Sequence, residues 1–350
     1  MGMTRAAAPE DEELLQQVLR ITPEPFVYFD DFQVHRILTR HPAEYLASLY
    51  RQLRDIAAGD VRLELPPKQI FHDLPGDADF RVMPCVVRTE SSACKTVKII
   101  GTNTLQEKIP DQIAVGKAFV IDSGENFVSH IFEACLLSSA RTGACAALAT
   151  QLLAPARRAL TVIGAGRVGY YASLYTAALG GVETIRIADA DQLRATRTAA
   201  LLARQLPGLS VEAVSFRNLP ATDLAIVATT SREALCHPPA WGAGLVISLG
   251  ADTDNQRELA PEWIGRADIF VDTVDSARFG DLAAWQKAGL ISTDQLVDLF
   301  QVLRQGGLPP ASRPRVFIST GSALFDNLTI GYILDQVAGQ KPGSIAPPPK

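Results

Sequence analysis

The 350-residue sequence lacks an apolar stretch long enough to cross a membrane. Its start, PEDEELLQQ at residues 9–17, is polar and acidic, whereas a secretory signal has a basic start and an apolar centre. Runs of lysine or arginine are also absent and the formal net charge is -5, so no nucleic-acid partner is expected. These absences favour a cytoplasmic protein that acts on a small molecule.

Cysteine and histidine are scarce and scattered. The five cysteines form no C-x-x-C pair, and the five histidines show no H-E-x-x-H or similar spacing. No metal site is therefore predicted. Cys135 and Cys145 lie in apolar sequence typical of a helix, where cysteine commonly packs as a small hydrophobic residue.

A glycine-rich motif is the most informative feature that is present. Residues 161–189 read TVIGAGRVGYYASLYTAALGGVETIRIAD, in which an apolar run meets three glycines at G-x-G-x-x-G spacing and a second apolar run ends in an aspartate. In a dinucleotide-binding fold, Gly164 would make the tight turn, Gly166 would let the backbone approach a pyrophosphate, and Gly169 would let helix pack on strand. The motif has the context that makes it specific.

Asp189 distinguishes between the two nicotinamide cofactors. A carboxylate at the end of the second strand accepts the adenosine ribose hydroxyls and repels a 2′-phosphate, so NAD is the predicted cofactor. Arg167 and Arg194 lie close in sequence and would partly offset that repulsion, whereas Asp191 reinforces it. NADP therefore stays open as the weaker alternative.

Composition and the first part of the chain predict two domains. With 47% hydrophobic and 20% charged residues, the chain can bury two cores of ordinary size. Residues 10–60 predict helices, with Gly59 as a stop. Residues 61–122 show short alternating runs broken by proline and glycine, among them Pro75 and Gly76, and predict a mostly antiparallel sheet.

The remainder of the chain alternates between helical and extended patterns. A small-residue segment at 132–154 predicts a helix that links the domains. Further strands are predicted at 211–216, 223–230, 244–250 and 268–273, and strands that alternate with helices predict a doubly wound parallel sheet. Thr229 and Thr230 would follow one strand and residues 250–252 the next, at the edge where ligands bind such sheets. A terminal helix at 325–338 precedes a proline-rich end.

The order of these motifs resembles that of a known family. Lys98, the segment SSARTGACAALATQLLA, the glycine motif and GADTDNQREL follow one another as in the ornithine cyclodeaminase/mu-crystallin family, from about residue 60 onward. The FRVMP and VKIIGTN runs and the spacing before Arg141 look most like the 2,3-diaminopropionate-biosynthesis branch. In that branch an N-(2-amino-2-carboxyethyl)-L-glutamate dehydrogenase serves siderophore assembly.

The resemblance implies an architecture and a set of partners. The expected fold class is α/β, with a Rossmann doubly wound sheet and a smaller α+β domain for substrate binding and dimerisation. The smaller domain would comprise residues 1–142 with 321–350 and be completed by the C-terminal helix, and the Rossmann domain would comprise 143–320. Family members are commonly dimers, so we expect a homodimer that takes a small amino-acid substrate. An apolar antiparallel sheet would suit such an interface or equally an intrachain core.

Four charged residues acquire expected roles from the resemblance. Arg141 matches the arginine of the L-R-T-A-A motif, which grips the substrate α-carboxylate as a planar guanidinium can. Lys98 matches a lysine that binds the carboxylate or polarises an imine, and Lys68 lies near an additional carboxylate-binding arginine of many members. Asp252 matches the aspartate that acts as acid or base and directs water onto an imine.

The residues alone leave other roles open for three of these side chains. Arg141 could form a surface ion pair on its helix, and Lys98 could face solvent from its strand. Asp252 could cap the next turn, although Asp254 is better placed to do so. The predicted cofactor-binding residues, of which the resemblance supplies Thr142 as a phosphate contact, are Thr142, Gly164, Gly166, Arg167, Val168, Gly169, Asp189, Thr229, Thr230 and Ser231.

Two departures from the family pattern concern the substrate. Ornithine and lysine cyclodeaminases carry a glutamate three residues ahead of the proline of the M-P motif, where this chain has Arg81. An arginine repels a substrate ammonium and attracts a carboxylate, which favours an amino acid with an acidic arm. The C-terminal GSALFD retains Gly321, Ala323 and Asp326 but has Phe325 in place of an acid, so the role of that segment is open.

Three functions are weighed on this basis. The first is an NAD-dependent amino-acid oxidoreductase acting on CH–NH, in which an imine forms and water releases a keto acid, with Arg81 a further carboxylate-binding residue. In the diaminopropionate-like version the products are 2-oxoglutarate and 2,3-diaminopropionate, and in reverse the site would reduce a ketimine. The second is an ornithine- or lysine-type cyclodeaminase, which releases ammonia without net NADH. The third is a mu-crystallin-like binding protein. Arg81 favours the first.

Overall fold

The computed structural model describes residues 12–72, 78–253 and 255–338, which contain two β-sheets. The strands of the first sheet are β1 (Val27–Phe29), β2 (Arg62–Glu64), β3 (Gln69–His72), β4 (Asp79–Arg88), β5 (Ala93–Thr102), β6 (Ala114–Ile121) and β7 (Val128–Glu133). The strands of the second are β8 (Ala159–Ile163), β9 (Thr184–Ala188), β10 (Ser210–Ala213), β11 (Leu224–Val227), β12 (Leu245–Ser248), β13 (Asp268–Val271), β14 (Val297–Asp298) and β15 (Arg315–Ile318).

The helices surround these sheets. The α-helices are α1 (Asp31–Arg40), α2 (Pro42–Ala58), α3 (Ala134–Leu153), α4 (Arg167–Ala178), α5 (Gln192–Gln205), α6 (Gly280–Lys287), α7 (Leu299–Arg304) and α8 (Ala323–Ala338). A π-helical turn lies at Leu14–Val18, and 3₁₀ turns lie at Ala240–Gly242, Pro261–Trp263, Val274–Arg278 and Thr293–Gln295. None of the helices in the described part of the chain combines the length and apolarity that crossing a membrane requires.

The first sheet is mostly antiparallel, as the alternating runs predict. Its order is β1-β7-β6-β5-β4-β2, with β3 also paired to β4, and β1 runs parallel to β7. The helical prediction for residues 10–60 is wrong at β1, because Val27 to Phe29 are β-branched or aromatic and pair with residues 130–132 of β7. The predicted breaks at Pro75 and Gly76 lie outside the described residues.

Alternation along β4 and β5 determines which side chains face the helices. Arg81 and Met83 of β4 are buried, and Met83 pairs with Lys98 of β5. On β5, Lys98 is buried while its neighbours Val97 and Ile99 are turned to the opposite face. The solvent-facing alternative for Lys98 is therefore wrong.

Local sequence signals set the ends of the first helices. Asp30 caps α1, because its carboxylate accepts from the Gln33 N–H at 2.8 Å while the Gln33 side chain accepts from the Asp30 N–H. Pro42 opens α2, where a missing N–H costs nothing. The helix ends at Gly59 with φ +90°, which confirms the predicted stop.

Helix α3 is buried along almost its whole length, and Arg141 is its single charged residue. It confirms the predicted linking helix, although Phe132 and Glu133 belong to β7. Small residues let it approach α4 closely: a Cβ added to Gly143 would lie 2.7 Å from backbone atoms of Tyr171 and Ala172. The close contact holds Arg141 in a fixed position relative to the second sheet.

The second sheet is doubly wound and parallel, as predicted. Its order is β10-β9-β8-β11-β12-β15-β13-β14, and every described pair in it is parallel. β14 and β15 were not among the predicted strands. β15 comes last in the chain but lies between β12 and β13, and such an insertion leaves no local pattern. The order reverses between β8 and β11, which opens a crevice at the carboxyl ends of these strands.

Helix α8 returns the chain to the first sheet, where it packs on β4, β5 and α3. The Asn327 side chain donates to the carbonyl of Cys94 at 3.0 Å and to Thr96 Oγ1 at 3.0 Å. The division into residues 1–142 with 321–350 and residues 143–320 stays a prediction, and α3 runs unbroken through its boundary. The proline-rich end lies outside the described residues.

Candidate active site

The glycine loop between β8 and α4 has no room for side chains at two of its three glycines. Gly164 has φ +107°, and a Cβ there would lie 2.2 Å from the Ala228 carbonyl oxygen. A Cβ on Gly169 would lie 1.9 Å from the Gly164 oxygen. Gly166 differs, because nothing lies within 4 Å of its Cβ position. The open space at Gly166 fits a pyrophosphate that approaches the backbone.

The start of α4 reaches toward the first sheet. Arg167 is exposed, and its Nη2 donates to the Asp111 carbonyl oxygen at 2.6 Å in the loop between β5 and β6. Val168 is half-buried and packs against the core. The guanidinium of Arg167 thus links the glycine loop to the other sheet.

Asp189 lies directly after β9 with both carboxylate oxygens held. Oδ2 accepts from the Ala165 N–H at 2.8 Å, inside the glycine loop, and Oδ1 accepts from the Asp191 N–H at 2.9 Å. Asp191 caps α5 by accepting from the N–H groups of Leu193 and Arg194. Asp189 is therefore the carboxylate that borders the loop, whereas Asp191 stabilises the helix that follows.

The carboxyl ends of β11 and β12 are held together by a glutamate that the sequence analysis missed. Glu258 is fully buried, and its Oε1 accepts from the N–H and the hydroxyl of Thr229 at 2.6 and 3.0 Å. Its Oε2 accepts from Ser248 Oγ at 2.7 Å and from the N–H groups of Leu249 and Gly250 at 3.1 and 2.9 Å. Burial raises the pKa of Glu258 to about 7 against these hydrogen bonds.

Glu258 had a signal in the sequence, because it closes the GADTDNQREL segment. Its function depends on β11 and β12 being neighbours, which no single segment reveals. The two other polar residues after β11 point differently: Thr230 is exposed, and Ser231 Oγ donates to the Glu233 carbonyl oxygen at 2.7 Å. Thr142 Oγ1 donates to the Ser138 carbonyl oxygen at 2.8 Å within α3. The cofactor contacts predicted for Thr142, Thr230 and Ser231 stay predictions.

Two buried cations share one carboxylate between β5, α3 and α8. The distances to the Asp326 oxygens are 2.8 Å from Lys98 Nζ and 2.9 Å from Arg141 Nε. Lys98 and Arg141 also donate to Ser138 Oγ at 3.3 and 3.1 Å. Burial and the charge of Arg141 lower the pKa of Lys98 to about 8, against the pull of Asp326. We call Lys98, Arg141 and Asp326 the closed cluster; its burial excludes the surface ion pair for Arg141.

Two further basic side chains, Arg81 and Lys68, interact with the charge of Asp252. Arg81 Nη1 donates to Asp252 Oδ2 at 2.8 Å, while its Nε and Nη2 face the carboxylate of Asp79 at 3.2 and 3.0 Å. Lys68 Nζ donates to the Thr320 carbonyl oxygen at 2.7 Å and stands 3.6 Å above the centre of the Phe279 ring. We call Lys68, Arg81 and Asp252 the open cluster, because the Asp252 side chain is 39% exposed.

The environment shifts the charges of the open cluster. Burial lowers the pKa of Lys68 to about 7, although Asp252 opposes this. Burial also acts to raise the pKa of Asp252, but Arg81 and then Lys68 outweigh it and hold that pKa below its usual value. The Asp252 carboxylate pairs with Arg81 and is not seen to cap the next turn within the described residues. Asp254, the other capping candidate, lies outside them.

The two clusters adjoin each other through one short segment. Thr320 accepts from Lys68, and a Cβ on the next residue, Gly321, would lie 3.1 Å from both terminal nitrogens of Arg141. The structure thus brings the five predicted substrate and catalytic residues together at the carboxyl end of β12. Among the described residues, no group of three or more His, Cys, Asp or Glu side chains could hold a metal ion.

Known proteins match most of this chain. The model of the ornithine cyclodeaminase/mu-crystallin family matches residues 33–341. A Delta(1)-pyrroline-2-carboxylate reductase of Burkholderia multivorans is 26% identical over 87% of this chain and 94% of its own length. An iminosuccinate reductase of Paracoccus denitrificans is 30% identical over 64% of this chain and 70% of its own. An L-lysine cyclodeaminase of Streptomyces rapamycinicus is 28% identical over 81% and 85%.

A solved structure shares the fold. Delta(1)-pyrroline-2-carboxylate reductase of Thermococcus litoralis, in complex with NADH and L-proline, superposes with a TM-score of 0.78 at 20% sequence identity. The match covers 89% of this chain and 98% of that one. The combination of a Rossmann sheet with a second, mostly antiparallel sheet is thus the fold of a known group of structures.

Proposed function

Because the chain belongs to the ornithine cyclodeaminase/mu-crystallin family, we propose that it is an NAD-dependent amino-acid oxidoreductase that acts on a CH–NH bond. The observation that supports this most is the closed cluster, which offers two buried cations to a substrate carboxylate beside the crevice of the second sheet. Two relatives are reductases of imines by name, which is the same chemistry in reverse.

NAD fits the loop and the acid that follow β8 and β9. Gly166 leaves open space at the start of α4, and the fixed carboxylate of Asp189 would accept the ribose hydroxyls and disfavour a 2′-phosphate. Thr229 and the residues after it would line the nicotinamide end of the crevice. Bound NAD would supply a hydride acceptor at this edge of the sheet.

Arg141 and Lys98 would orient the substrate by its α-carboxylate. Both side chains are already held by Asp326, so their rotamers are set before the substrate arrives. A guanidinium presents a planar pair of N–H groups that matches a carboxylate. Their burial excludes water from the carboxylate contact, which strengthens it.

Asp252 would handle the protons of the reaction. On oxidation the substrate loses a hydride from carbon and a proton from nitrogen, and the C=N bond forms. Asp252 would take up the proton and later direct a water molecule, which adds to the carbon and releases the amine and a keto acid. With N-(2-amino-2-carboxyethyl)-L-glutamate, this sequence would give 2,3-diaminopropionate, 2-oxoglutarate and NADH, the finer version of the proposal.

We also propose that the protein is a homodimer joined by the outer face of the first sheet. That face carries adjoining apolar residues on four paired strands: Val82, Pro84, Val97, Ile99, Phe119 and Ile131. Apolar surface of this kind favours a second copy of the same sheet. Sedimentation of the purified protein would give twice the chain mass of 37.7 kDa.

The test of the proposed reaction is NADH absorbance with NAD and N-(2-amino-2-carboxyethyl)-L-glutamate, ornithine, lysine and simple amino acids, with ammonia and proline assayed in parallel. NADH formed with the acidic-armed substrate, and lost in Arg141→Ala, is the expected result. Ammonia and a cyclic imino acid without net NADH would instead establish a cyclodeaminase, which the lysine cyclodeaminase relative keeps as the second candidate.

A further inference from the structure

In the open cluster, the Arg81 guanidinium pairs with two carboxylates, the buried Asp79 and the partly exposed Asp252. We propose that a side-chain carboxylate of the substrate, beyond the α-carboxylate that the closed cluster would hold, replaces Asp252 on Arg81 Nη1, and that the released Asp252 then serves as the proton acceptor. The inference rests on the proposed oxidoreductase function and specifies which substrates that site selects. Arg81 is in this view the specificity-determining residue.

Arg81 is held in position from one side. It faces inward from β4 with a side-chain exposure of 9%, and its Nε and Nη2 lie on the carboxylate of Asp79. Asp79 is itself 6% exposed and accepts from Thr102 Oγ1 at 2.9 Å, so it is tied to the neighbouring strand. Only the Nη1 edge of the guanidinium is directed at Asp252.

Asp252 is the partner that can leave. Its side chain is 39% exposed, and it lies in the loop after β12 instead of on a strand. Arg81 and Asp79 adjoin in the same strand, so their pair persists wherever the loop moves. The exposed carboxylate can therefore be exchanged while the buried one remains.

The exchange conserves charge at the buried guanidinium. One carboxylate replaces another on Arg81 Nη1 while Asp79 stays in place, so the buried guanidinium keeps two carboxylate partners throughout. A substrate without that side-chain carboxylate cannot displace Asp252. An ammonium in the place of the carboxylate would meet the Arg81 guanidinium, which repels it.

Release changes what Asp252 can do. While it is paired with Arg81, its pKa lies below the usual value and it is a weak proton acceptor. Once the substrate carboxylate occupies Arg81, that ion pair is lost and Asp252 becomes a stronger base. The substrate thus activates the residue that will take its proton. A substrate with a side-chain carboxylate is therefore favoured both in binding to Arg81 and in the proton transfer to Asp252.

The kinetic test compares N-(2-amino-2-carboxyethyl)-L-glutamate with the analogue in which the side-chain carboxylate of the glutamate part is a carboxamide. The two have the same shape and differ in the charge that would bind Arg81. Wild-type kcat/KM should be higher for the acid by roughly 10- to 100-fold, the range of a hydrogen bond between charged groups. In Arg81→Gln the two substrates should come within about threefold of each other.

The matched control is Arg88→Gln. Arg88 lies on the same strand and pairs with Glu64 at the surface, far from Asp252 in the strand register. It should retain the wild-type preference. Preference for the acid that survives in Arg81→Gln would overturn the inference, as would an equal loss with both substrates.

A binding measurement separates this inference from the proposed reaction. Asp252→Asn removes the competitor for Arg81, so titration calorimetry should show N-(2-amino-2-carboxyethyl)-L-glutamate binding about tenfold more tightly to this variant than to wild type. The carboxamide should bind both proteins alike. Unchanged or weaker binding of the acid in Asp252→Asn would contradict the exchange. If wild type forms no NADH with any substrate, the proposed reaction fails, and the calorimetric result still decides the exchange.

Discussion

The closed and open clusters both place cations on a carboxylate, yet they differ in what anchors that carboxylate. Asp326 lies on α8, is 2% exposed and touches both Lys98 and Arg141. Asp252 lies on a loop, is 39% exposed and can leave its partner. A buried anion on a helix holds cations in place, whereas an exposed anion on a loop can take part in a reaction. The two aspartates should therefore respond differently to the same substitution.

The largest effect is expected for Asp252→Asn on turnover. Loss of the proton acceptor should lower kcat by roughly 10²- to 10⁴-fold, the usual contribution of general acid–base catalysis. The free energy of unfolding should fall by less than in Asp326→Asn, because Asp79 keeps the buried Arg81 guanidinium paired. Steady-state NADH formation and urea unfolding measure the two quantities. Asp268→Asn, which removes a surface partner of Arg313, is the control and should leave kcat unchanged.

Asp326→Asn should lower the free energy of unfolding more than Asp252→Asn does. It leaves Lys98 and Arg141 buried without their shared anion, so the free energy of unfolding should fall by about 3–5 kcal/mol. Urea or thermal unfolding measures the loss. Glu64→Gln removes an exposed partner of Arg88 and should cost about 1 kcal/mol or less. Equal free energies of unfolding for Asp326→Asn and Asp252→Asn would contradict the view that Asp326 anchors its cluster and Asp252 does not.

Lys68 should make stability depend on pH in the open cluster. Its pKa is about 7 in the folded protein, against an ordinary lysine value of 10.5 that applies to the unfolded chain. Between these values the unfolded chain binds more protons, so stability rises as pH increases from about 7 to 10.5 and is flat with respect to this group below 7. The rise from Lys68 should be on the order of 5 kcal/mol at most.

The measurement is urea unfolding of wild type and Lys68→Met across that pH range. The difference in slope between the two proteins isolates this lysine, and the variant should lose the rise. Lys95→Met changes a lysine on the face of β5 opposite to Lys98, and this variant should retain the rise in stability with pH. A slope that survives in Lys68→Met would show that another group causes it.

Glu258→Gln should give the smallest of these effects. It tests whether a fixed carboxylate next to the cofactor crevice affects NAD binding and not the chemical step. The amide nitrogen cannot accept the hydrogen bonds that Leu249 and Gly250 or Thr229 donate, so the free energy of unfolding should fall by about 1–3 kcal/mol. Because Glu258 joins the ends of β11 and β12, KM for NAD should rise about tenfold while kcat changes by less than about threefold.

Steady-state kinetics at varied NAD concentration checks the Glu258→Gln prediction. Glu262→Gln, at an exposed position of the 3₁₀ turn that follows, is the matched control and should leave KM for NAD unchanged. A fall in kcat without a change in KM would place Glu258 in the chemistry instead of in the shape of the crevice.

Much of the cofactor half was predictable because its signals are local. The spacing of Gly164, Gly166 and Gly169 describes one turn of chain, and Asp189 follows the next strand. Close steric contacts require glycine at positions 164 and 169, and a hydrogen bond from the Ala165 N–H holds Asp189. Thr229 and Gly250 were also placed correctly, since parallel strands end at the same edge.

The substrate half was predictable only in its residue types. The apolar neighbours of Lys98 occur on both faces of β5, so alternation did not decide its direction. Asp326 was noted without a role, and Asp79 and Glu258 were not predicted at all. Asp326 contacts Lys98 across a separation of 228 residues, and Asp79 accepts a hydrogen bond from Thr102 on the neighbouring strand. Glu258 joins the ends of two strands that precede it in the chain.

By itself, the sequence determined the glycine loop, the order of strands and helices around it, and the presence of an arginine at position 81. These depend on backbone sterics and side-chain chemistry within a few residues of each other. Only the tertiary structure decided that Asp326 would hold two cations and that Asp252 would lie on Arg81 with its side chain open to solvent. Burial and charge pairing are properties of distant segments brought together, and they determine which carboxylate is fixed and which is free to react.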